Sequence, residues 1–143
     1  MRFVVLVKAN KDSEAGVLPT REMFEAMGAF NERLAADGIL LAGDGLRPTS
    51  KGTRLRFDGA RTTITDGPFA ETKELVAGFC IIQVTSRQEA IDWVKRWPPL
   101  DGDVELEIRQ IFEAEDFGAE FTPELRAAED RMRVESAAHS AKH

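Results

Sequence analysis

The sequence predicts a single α+β domain followed by an acidic helical extension. Two observations support this prediction: short β-type segments rich in valine, isoleucine and phenylalanine alternate with amphipathic helical segments, and the composition changes beyond Phe112. The chain has 143 residues, of which 43% are hydrophobic and 31% charged, as is typical of one globular domain with its own core. The predicted domain spans residues 1–112, and the extension spans residues 113–143.

The first half of the domain is predicted to form a strand, a helix and a second strand. Residues 2–8 contain five consecutive apolar residues, three of them valine, which favours a strand. The helix is indicated by apolar residues at helical spacing, which are Met23, Met27, Phe30 and Leu34. It ends at Asp37-Gly38, where glycine can adopt the left-handed cap conformation. Ile39–Ala42 predicts the second strand, and a flexible Gly43-Asp44-Gly45 segment is expected to follow it.

The second half adds a hairpin, a strand, a helix and a last strand. Short β-type runs on both sides of Asp58-Gly59 predict the hairpin. Phe79–Val84 predicts a buried strand, and Ser86 with Glu89 forms a capping box that begins a helix. Apolar and polar residues alternate over residues 104–111, as expected for a half-buried strand.

The resulting order of β-α-β, hairpin, β-α-β is the split βαβ arrangement of ferredoxin-like folds. In this arrangement the helices cover one face of the sheet. The first strand carries Phe3, Val5 and Val7 on one side and Val4 and Leu6 on the other, so the helix-free face is also apolar. Because such a face is rarely exposed on a monomer, we expect a homodimer in which two sheets stack back to back.

Residues 65–79 combine a turn, four ionisable side chains and the beginning of a strand. They read Thr-Asp-Gly-Pro-Phe-Ala-Glu-Thr-Lys-Glu-Leu-Val-Ala-Gly-Phe, and we call this segment the signature. The signature resembles the DGPF branch of the YCII-related proteins, and the similarity covers residues 1 to about 112. This resemblance implies a small bacterial domain of the ferredoxin-like, dimeric α/β-barrel type.

The ionisable part of the signature has two interpretations. Its Asp-Gly-Pro-Phe sequence favours a turn whatever the function. Alternatively, the cluster lines a pocket for a small polar or anionic ligand, since Glu71 and Lys73 of an extended segment point to one side and Glu74 to the other. Asp66 or Glu71 would then accept a proton or anchor a polar group, and Lys73 would hold an anion. The candidate ligand-binding residues are Asp66, Phe69, Glu71, Lys73 and Glu74.

A basic cluster surrounds the predicted hairpin and consists of Arg47, Lys51, Arg54, Arg56 and Arg61. Two of these arginines alternate with apolar residues, which favours a solvent-exposed face of the hairpin. Recognition of a small acidic substrate is the alternative.

Composition argues against several functions. The net charge of −6 disfavours a nucleic-acid partner. No apolar run approaches the roughly 20 residues of a membrane span, and the start indicates a strand instead of a secretory signal, so we predict a cytoplasmic protein with no membrane partner. Both histidines, His139 and His143, lie in the extension, so the domain has no histidine with which to form a catalytic triad. We expect no metal and no cofactor, and a buried, structural Cys80.

The resemblance leaves open whether the protein is an enzyme. The wider YCII-related group includes enzymes in which a histidine and an aspartate cooperate, among them one with dehydrochlorinase-like activity, but this domain lacks the histidine. Members of the DGPF branch often occur beside extracytoplasmic-function sigma factors, which implies a ligand-sensing or regulatory module as the alternative. A dimeric scaffold is the third possibility.

The extension contains eight acidic and four basic residues. Thr122-Pro123 predicts the beginning of a helix, because threonine caps helices and proline suits the first helical position. This helix is either solvated or laid on the partner subunit, with Leu125, Ala128 and Met132 facing inward.

Overall fold

The computed structural model of the protein describes residues 1–70, 73–99 and 102–142. The chain divides into two compact units, Met1–Ile111 and Phe112–His143. We describe each unit by itself.

The first unit contains a four-stranded antiparallel sheet and a separate two-stranded hairpin. Its strands are β1 (Arg2–Lys8), β2 (Leu40–Gly45), β3 (Thr53–Asp58), β4 (Arg61–Asp66), β5 (Val76–Gln83) and β6 (Leu106–Gln110). The larger sheet has the order β2-β5-β1-β6, and β3 pairs with β4. Every pair of neighbouring strands is antiparallel. The structure therefore confirms a mixed α+β unit in the predicted order of elements.

The helices of this unit are α1 (Lys11–Glu14), α2 (Arg21–Ala36) and α3 (Arg87–Val94). The amide of Met23 donates to the Thr20 hydroxyl at 3.2 Å, which caps the beginning of α2. Gly38 follows α2 with a φ of +70°, as the predicted glycine cap requires. The sequence did not predict α1, because a helix of one turn shows no hydrophobic periodicity.

The core lies between the sheet and the helices. Its largest fully buried side chains are Phe3, Val5, Phe30, Leu34 and Ile82. Burying a side chain of this size contributes roughly 1.5–3 kcal/mol, which makes this layer the main source of stability in the unit. The burial of alternate residues also shows which face of β1 the helices cover. Phe3 and Val5 are buried, whereas Val4 and Leu6 on the opposite face are only half-buried.

Two predicted segments differ from the observed ones. Gly43-Asp44-Gly45 belongs to β2, where Gly43 pairs with Cys80 and Gly45 with Gly78, so the predicted flexible exit is wrong. The β5 backbone supplies these partners, and such pairing outweighs the low strand propensity of glycine. The capping box of α3 is only half formed. The Ser86 hydroxyl accepts a hydrogen bond from the Glu89 amide, but the Glu89 carboxylate accepts from the Thr85 amide instead of the Ser86 amide.

The second unit contains a 3₁₀ turn (Ala114–Asp116) and α4 (Pro123–Ser140), which Thr122 caps as predicted. Arg126 on α4 forms an ion pair with Glu115 at 2.7 Å, an exposed contact between these two elements. Leu125 and Met132 are 53% and 59% exposed in the single chain, and their orientation toward a partner subunit stays a prediction. None of the helices in the described part of the chain has the length and apolar character needed to cross a membrane.

Candidate functional site

The turn of the signature packs closely against the segment that joins β2 to β3. Gly67 donates its amide hydrogen to the carbonyl oxygen of Gly52 at 2.9 Å, and the Gly67-Pro68 peptide bond is cis. A Cβ atom on Gly67 would lie 1.7 Å from the carbonyl oxygen of Thr49. Only glycine allows the two backbones to approach this closely.

Thr49 connects the signature to α1. Its hydroxyl oxygen accepts a hydrogen bond from the Phe69 amide at 3.1 Å, and the hydroxyl donates to the Glu14 carboxylate. The Thr49 amide donates to the other Glu14 oxygen at 3.2 Å. Three segments that are distant in the sequence are therefore held together at one partly buried side chain, which gives the turn a structural role.

Two of the predicted ligand-binding residues contact other side chains of the hairpin. The guanidinium carbon of Arg54 lies 3.8 Å from the centroid of the Phe69 ring, a distance typical of a cation–π contact. Asp66 accepts a hydrogen bond from the Thr53 hydroxyl at 2.9 Å in an exposed position. These contacts order the base of the hairpin and account for the position of Arg54, one member of the basic cluster.

The remaining signature residues are exposed or lie outside the described residues. Lys73 and Glu74 are exposed and form a turn, so the predicted extended segment is not observed there. This turn changes the direction of the chain before β5. Leu75, which follows the turn, is buried, and its carbonyl oxygen accepts a hydrogen bond from the Ala9 amide at 2.8 Å. Glu71 lies outside the described residues.

A cleft of about 380 Å³ lies between α2 and strands β2 and β5. Its walls include Met27 and Asn31 of α2 and the Trp97 ring beyond α3. On the sheet side it is lined by Gly43, Asp44, Gly45, Gly78 and Cys80. The last residues of the signature, Ala77–Phe79, also line it. The signature therefore reaches this cleft through its apolar end.

The three glycines explain why the cleft exists. Side chains at these strand positions would project toward α2 and fill the space between helix and sheet. A Cβ on Gly45 would meet nothing within 4 Å, whereas one on Gly43 would lie 3.1 Å from the Cys80 Cβ. A Cβ on Gly78 would lie 3.2 Å from the Asp44 carbonyl oxygen. The open space is thus above Gly45, and the other two glycines allow the strands to pair closely beside it.

Few polar groups line this cleft, and Asp44 is the one carboxylate among the described residues that line it. The Asn31 amide can both donate and accept hydrogen bonds. The Trp97 Nε1 is buried and has no hydrogen-bond partner among residues 1–70, 73–99 and 102–142. Burial raises the pKa of the Cys80 thiol to about 11, so the sulfur stays protonated at neutral pH, in agreement with the predicted structural role.

A second cleft, of about 400 Å³, lies between α3 and β6 and is lined by Arg87, Ile91 and Gln110 among others. Neither of these two clefts is lined by Asp66, Phe69, Lys73 or Glu74. Within the described residues, no group of three or more His, Cys, Asp or Glu side chains is placed to hold a metal ion.

A protein-family model described as the YCII-related domain matches residues 1–115. The chain belongs to the YCII-related domain family. This confirms the family that the signature predicts. A curated relative, the uncharacterized protein R00369 of Rhizobium meliloti (strain 1021), is 44% identical over 50 residues. That match covers 35% of this chain and 40% of the relative, so it spans less than half of the relative's length.

One solved structure is also similar to this YCII-related chain. It is the 5-chloro-2-hydroxyhydroquinone dehydrochlorinase of Burkholderia phenoliruptrix AC1100 in complex with 2,5-dihydroxybenzoquinone. The two chains share 18% sequence identity with a TM-score of 0.43, over 80% of this chain and 98% of the other.

Sequence reasoning did not identify the residues of the α2 cleft. The sequence predicts a flexible connection at Gly43 and Gly45, although glycines within a strand can also mark a close approach of a ligand or another backbone. The Gly-x-Gly spacing places both glycines on one face of a strand, and this was the available signal. Nothing in the sequence indicated that Trp97 would border the same space.

Proposed function

We propose that this YCII-related protein binds a small molecule in the cleft between α2 and strands β2 and β5. The observation that carries the proposal is the bare strip of sheet at Gly43, Gly45 and Gly78, which leaves about 380 Å³ beside the hydrophobic core. Ligand sites in proteins commonly measure about 300–1,000 Å³ and combine an apolar lining with a few polar groups. Met27 and Trp97 supply apolar surface here, and Asn31 supplies a polar group.

We propose binding, without catalysis, as the function of this cleft. General acid–base catalysis needs a titratable side chain near its working pH within reach of the substrate. Cys80 is held as a thiol. Asp44 also lines the cleft, but strand alternation directs its side chain to the opposite face of β2 from Gly43 and Gly45. The cleft therefore lacks an acid–base pair among the described residues that line it. This supports the ligand-sensing or regulatory interpretation over the enzymatic one.

We also propose that the protein is a cytoplasmic homodimer of the DGPF branch, with the sheets stacked as in a dimeric α/β barrel. The helix-free face carries Val4 and Leu6 of β1 opposite Ile81 and Phe79 of β5, and all four are only half-buried in the single chain. A second copy that covers this face would remove their remaining apolar surface from water, which favours association.

The test of ligand binding fills the cleft with a side chain introduced on the strand that lines it. Gly45→Leu places a side chain where a Cβ meets nothing within 4 Å, so the fold tolerates it while the space is lost. Gly118→Leu is the matched control, because a Cβ on Gly118 also meets nothing within 4 Å but lies in the other unit. A fragment library is screened by ligand-observed NMR against both variants and the wild type. We expect hits that bind wild type and Gly118→Leu but not Gly45→Leu; hits that bind all three equally contradict the proposed site.

A further inference from the structure

Strand β6 lies at one edge of the larger sheet, because the strand order is β2-β5-β1-β6. Its pairing with β1 is fixed at both ends: the Ile111 amide donates to the Arg2 carbonyl at 2.9 Å, and the Lys8 amide donates to the Glu105 carbonyl at 3.0 Å. In an antiparallel pair, residues that bond to the neighbouring strand alternate with residues whose N–H and C=O groups point away from it. The residues of β6 that point away from β1 are Leu106, Ile108 and Gln110.

The side chains of these three residues line the cleft of about 400 Å³ between α3 and β6. Alternate residues of a strand share one face, and Gln110 lies opposite the buried Phe3, so this face of β6 is the one that the helices cover. Phe3 and Ile91 of α3 add further apolar surface to the lining. The outward backbone groups of β6 and the apolar side chains therefore border the same groove.

Arg87 supplies the one charge among the described residues that line this groove. It lies one helical turn before Ile91, so the two side chains project from the same face of α3. The Arg87 side chain is exposed and forms no ion pair with another described residue. The acidic residues of α3, Glu89 and Asp92, accept hydrogen bonds from uncharged groups instead. The guanidinium is thus available to a carboxylate of a bound molecule.

An extended peptide satisfies each of these features. Its backbone can pair with the outward N–H and C=O groups of β6, as in other cases of strand addition to a sheet edge. Every second side chain of such a strand would enter the apolar groove, and the intervening ones would point to the other face of the sheet. The distance from Leu106 to Gln110 along a strand is roughly 14 Å, which matches about five residues of peptide.

We infer that the groove between α3 and β6 binds an extended peptide segment as an additional strand, with apolar side chains at alternate positions and a carboxylate that pairs with Arg87. This surface is separate from the α2 cleft, so the inference does not depend on the proposed function. The occupant is a segment of another protein, and edge-to-edge pairing of two copies of this chain is the competing outcome.

The test begins with a randomised peptide display library selected against the full chain. The most enriched peptide is synthesised, and its affinity is measured by isothermal titration calorimetry. We expect enriched sequences that place apolar residues at every second position and include an acidic residue. If no peptide is enriched, or if the enriched peptides have no such alternation, the inference is overturned.

Methylation of the peptide's amide nitrogens tests strand addition directly. In a strand added to β6, only alternate amides of the peptide donate to the protein. Methylation of those amides should weaken binding about tenfold or more, because each loses a hydrogen bond and the methyl group obstructs pairing, whereas methylation at the intervening positions should have little effect. A loss that does not alternate along the peptide would contradict strand pairing.

Arg87→Gln tests the carboxylate contact, with Lys95→Gln as the matched control. Lys95 is exposed at the end of α3 and does not line the groove. We expect Arg87→Gln to weaken binding roughly two- to tenfold and Lys95→Gln to leave it unchanged. Replacing the acidic side chain of the peptide by its amide, or amidating its C-terminus, identifies which carboxylate is bound, since the effective change should cost nothing more in Arg87→Gln. Equal affinities of the two protein variants would overturn this contact.

A ¹H–¹⁵N titration of the full chain with the enriched peptide locates the site. We expect the largest shifts at the backbone amides of Leu106, Ile108 and Gln110, and the same amides should become protected from hydrogen exchange only when the peptide is bound. Shifts centred on the α2 cleft would overturn the assignment of the groove. Protection of these amides in the peptide-free protein, lost on dilution to the monomer, would show that a second copy occupies the edge and would overturn the inference.

Discussion

The carbonyl oxygen of Thr49 leaves no room for a side chain at residue 67, because a Cβ there would lie 1.7 Å away. Gly67→Ala must therefore displace one of the two backbones, and we predict that the free energy of unfolding falls by about 2–4 kcal/mol. Urea denaturation measures the change. Gly28→Ala is the control: a Cβ there meets nothing within 4 Å, and alanine in a helix should raise stability by about 0.5–1 kcal/mol. Similar effects of the two substitutions would contradict the close contact.

Cys80 should react slowly in the native protein. Burial raises the pKa of its thiol from 9.0 to about 11, and the thiolate is the reactive form. We predict that iodoacetamide modifies the native protein at pH 8 far more slowly than the urea-unfolded chain. Rapid modification of the native protein would contradict the structural role.

The same pKa shift predicts how stability depends on pH. Because the folded-state pKa of Cys80 lies above its unfolded value, folding retains the proton, and this contribution is fully present below pH 9.0. The free energy of unfolding should fall as the pH rises from 9.0 toward about 11. Cys80→Ala should remove this part of the decline, and an unchanged pH profile in that variant would contradict it.

The contact between α1, the β2–β3 connection and the signature depends on the Thr49 hydroxyl. Thr49→Val keeps the shape of the side chain but leaves the Phe69 amide and the Glu14 carboxylate without this partner. We predict a loss of about 1–3 kcal/mol in the free energy of unfolding, the cost of unpaired buried polar groups. Thr49→Ser retains the hydroxyl and should recover most of it. Equal losses for the two variants would exclude the hydrogen bonds as the cause.

A direct role of the signature's ionisable side chains in binding stays a prediction. Lys73 is exposed, so Lys73→Ala should change the free energy of unfolding by less than about 0.5 kcal/mol. If Lys73 and Glu71 hold a polar or anionic group of the ligand, alanine at either position should weaken binding of a ligand found by screening. Unchanged affinity in both variants would restrict the signature to its structural role.

At the level of elements, the sequence predicted the features that depend on residues close together in the chain. Hydrophobic spacing and the glycine at position 38 located α2, and Asp58-Gly59 located the hairpin. The extent of β2 was not predictable, since its glycines are strand residues only because β5 pairs with them. The contact of Gly67 with Thr49 joins residues far apart in sequence, so local pattern gave the turn but not its partner.

For the whole molecule, the order of elements follows from the sequence because each element has a strong local signal. The α2 cleft does not, because it arises from three glycines on two strands together with Trp97, which only the fold brings together. The apolar helix-free face is an intermediate case. Alternation in β1 showed that both faces are apolar, and the helices of the structure identify Val4 and Leu6 as the uncovered side.

The proposed homodimer predicts that light scattering gives twice the chain mass of 15.9 kDa at micromolar concentration. Leu6→Lys places a charge on the helix-free face and should shift the protein toward the monomer. Leu55→Lys is the control, because Leu55 is 53% exposed on the separate hairpin and should leave the mass unchanged. A wild-type protein with the mass of one chain would remove the argument for association.

The central claim is that the bare strip of sheet beneath α2 is a ligand site. The most direct measurement is a ¹H–¹⁵N titration of the full chain with a hit of the fragment screen, because glycine amides resonate in a separate region of the spectrum. We predict that the largest shifts occur at the backbone amides of Gly43, Gly45 and Gly78. Shifts centred on Lys73 and Glu74, or on the cleft beside α3 and β6, would contradict the account, as would a spectrum that does not change.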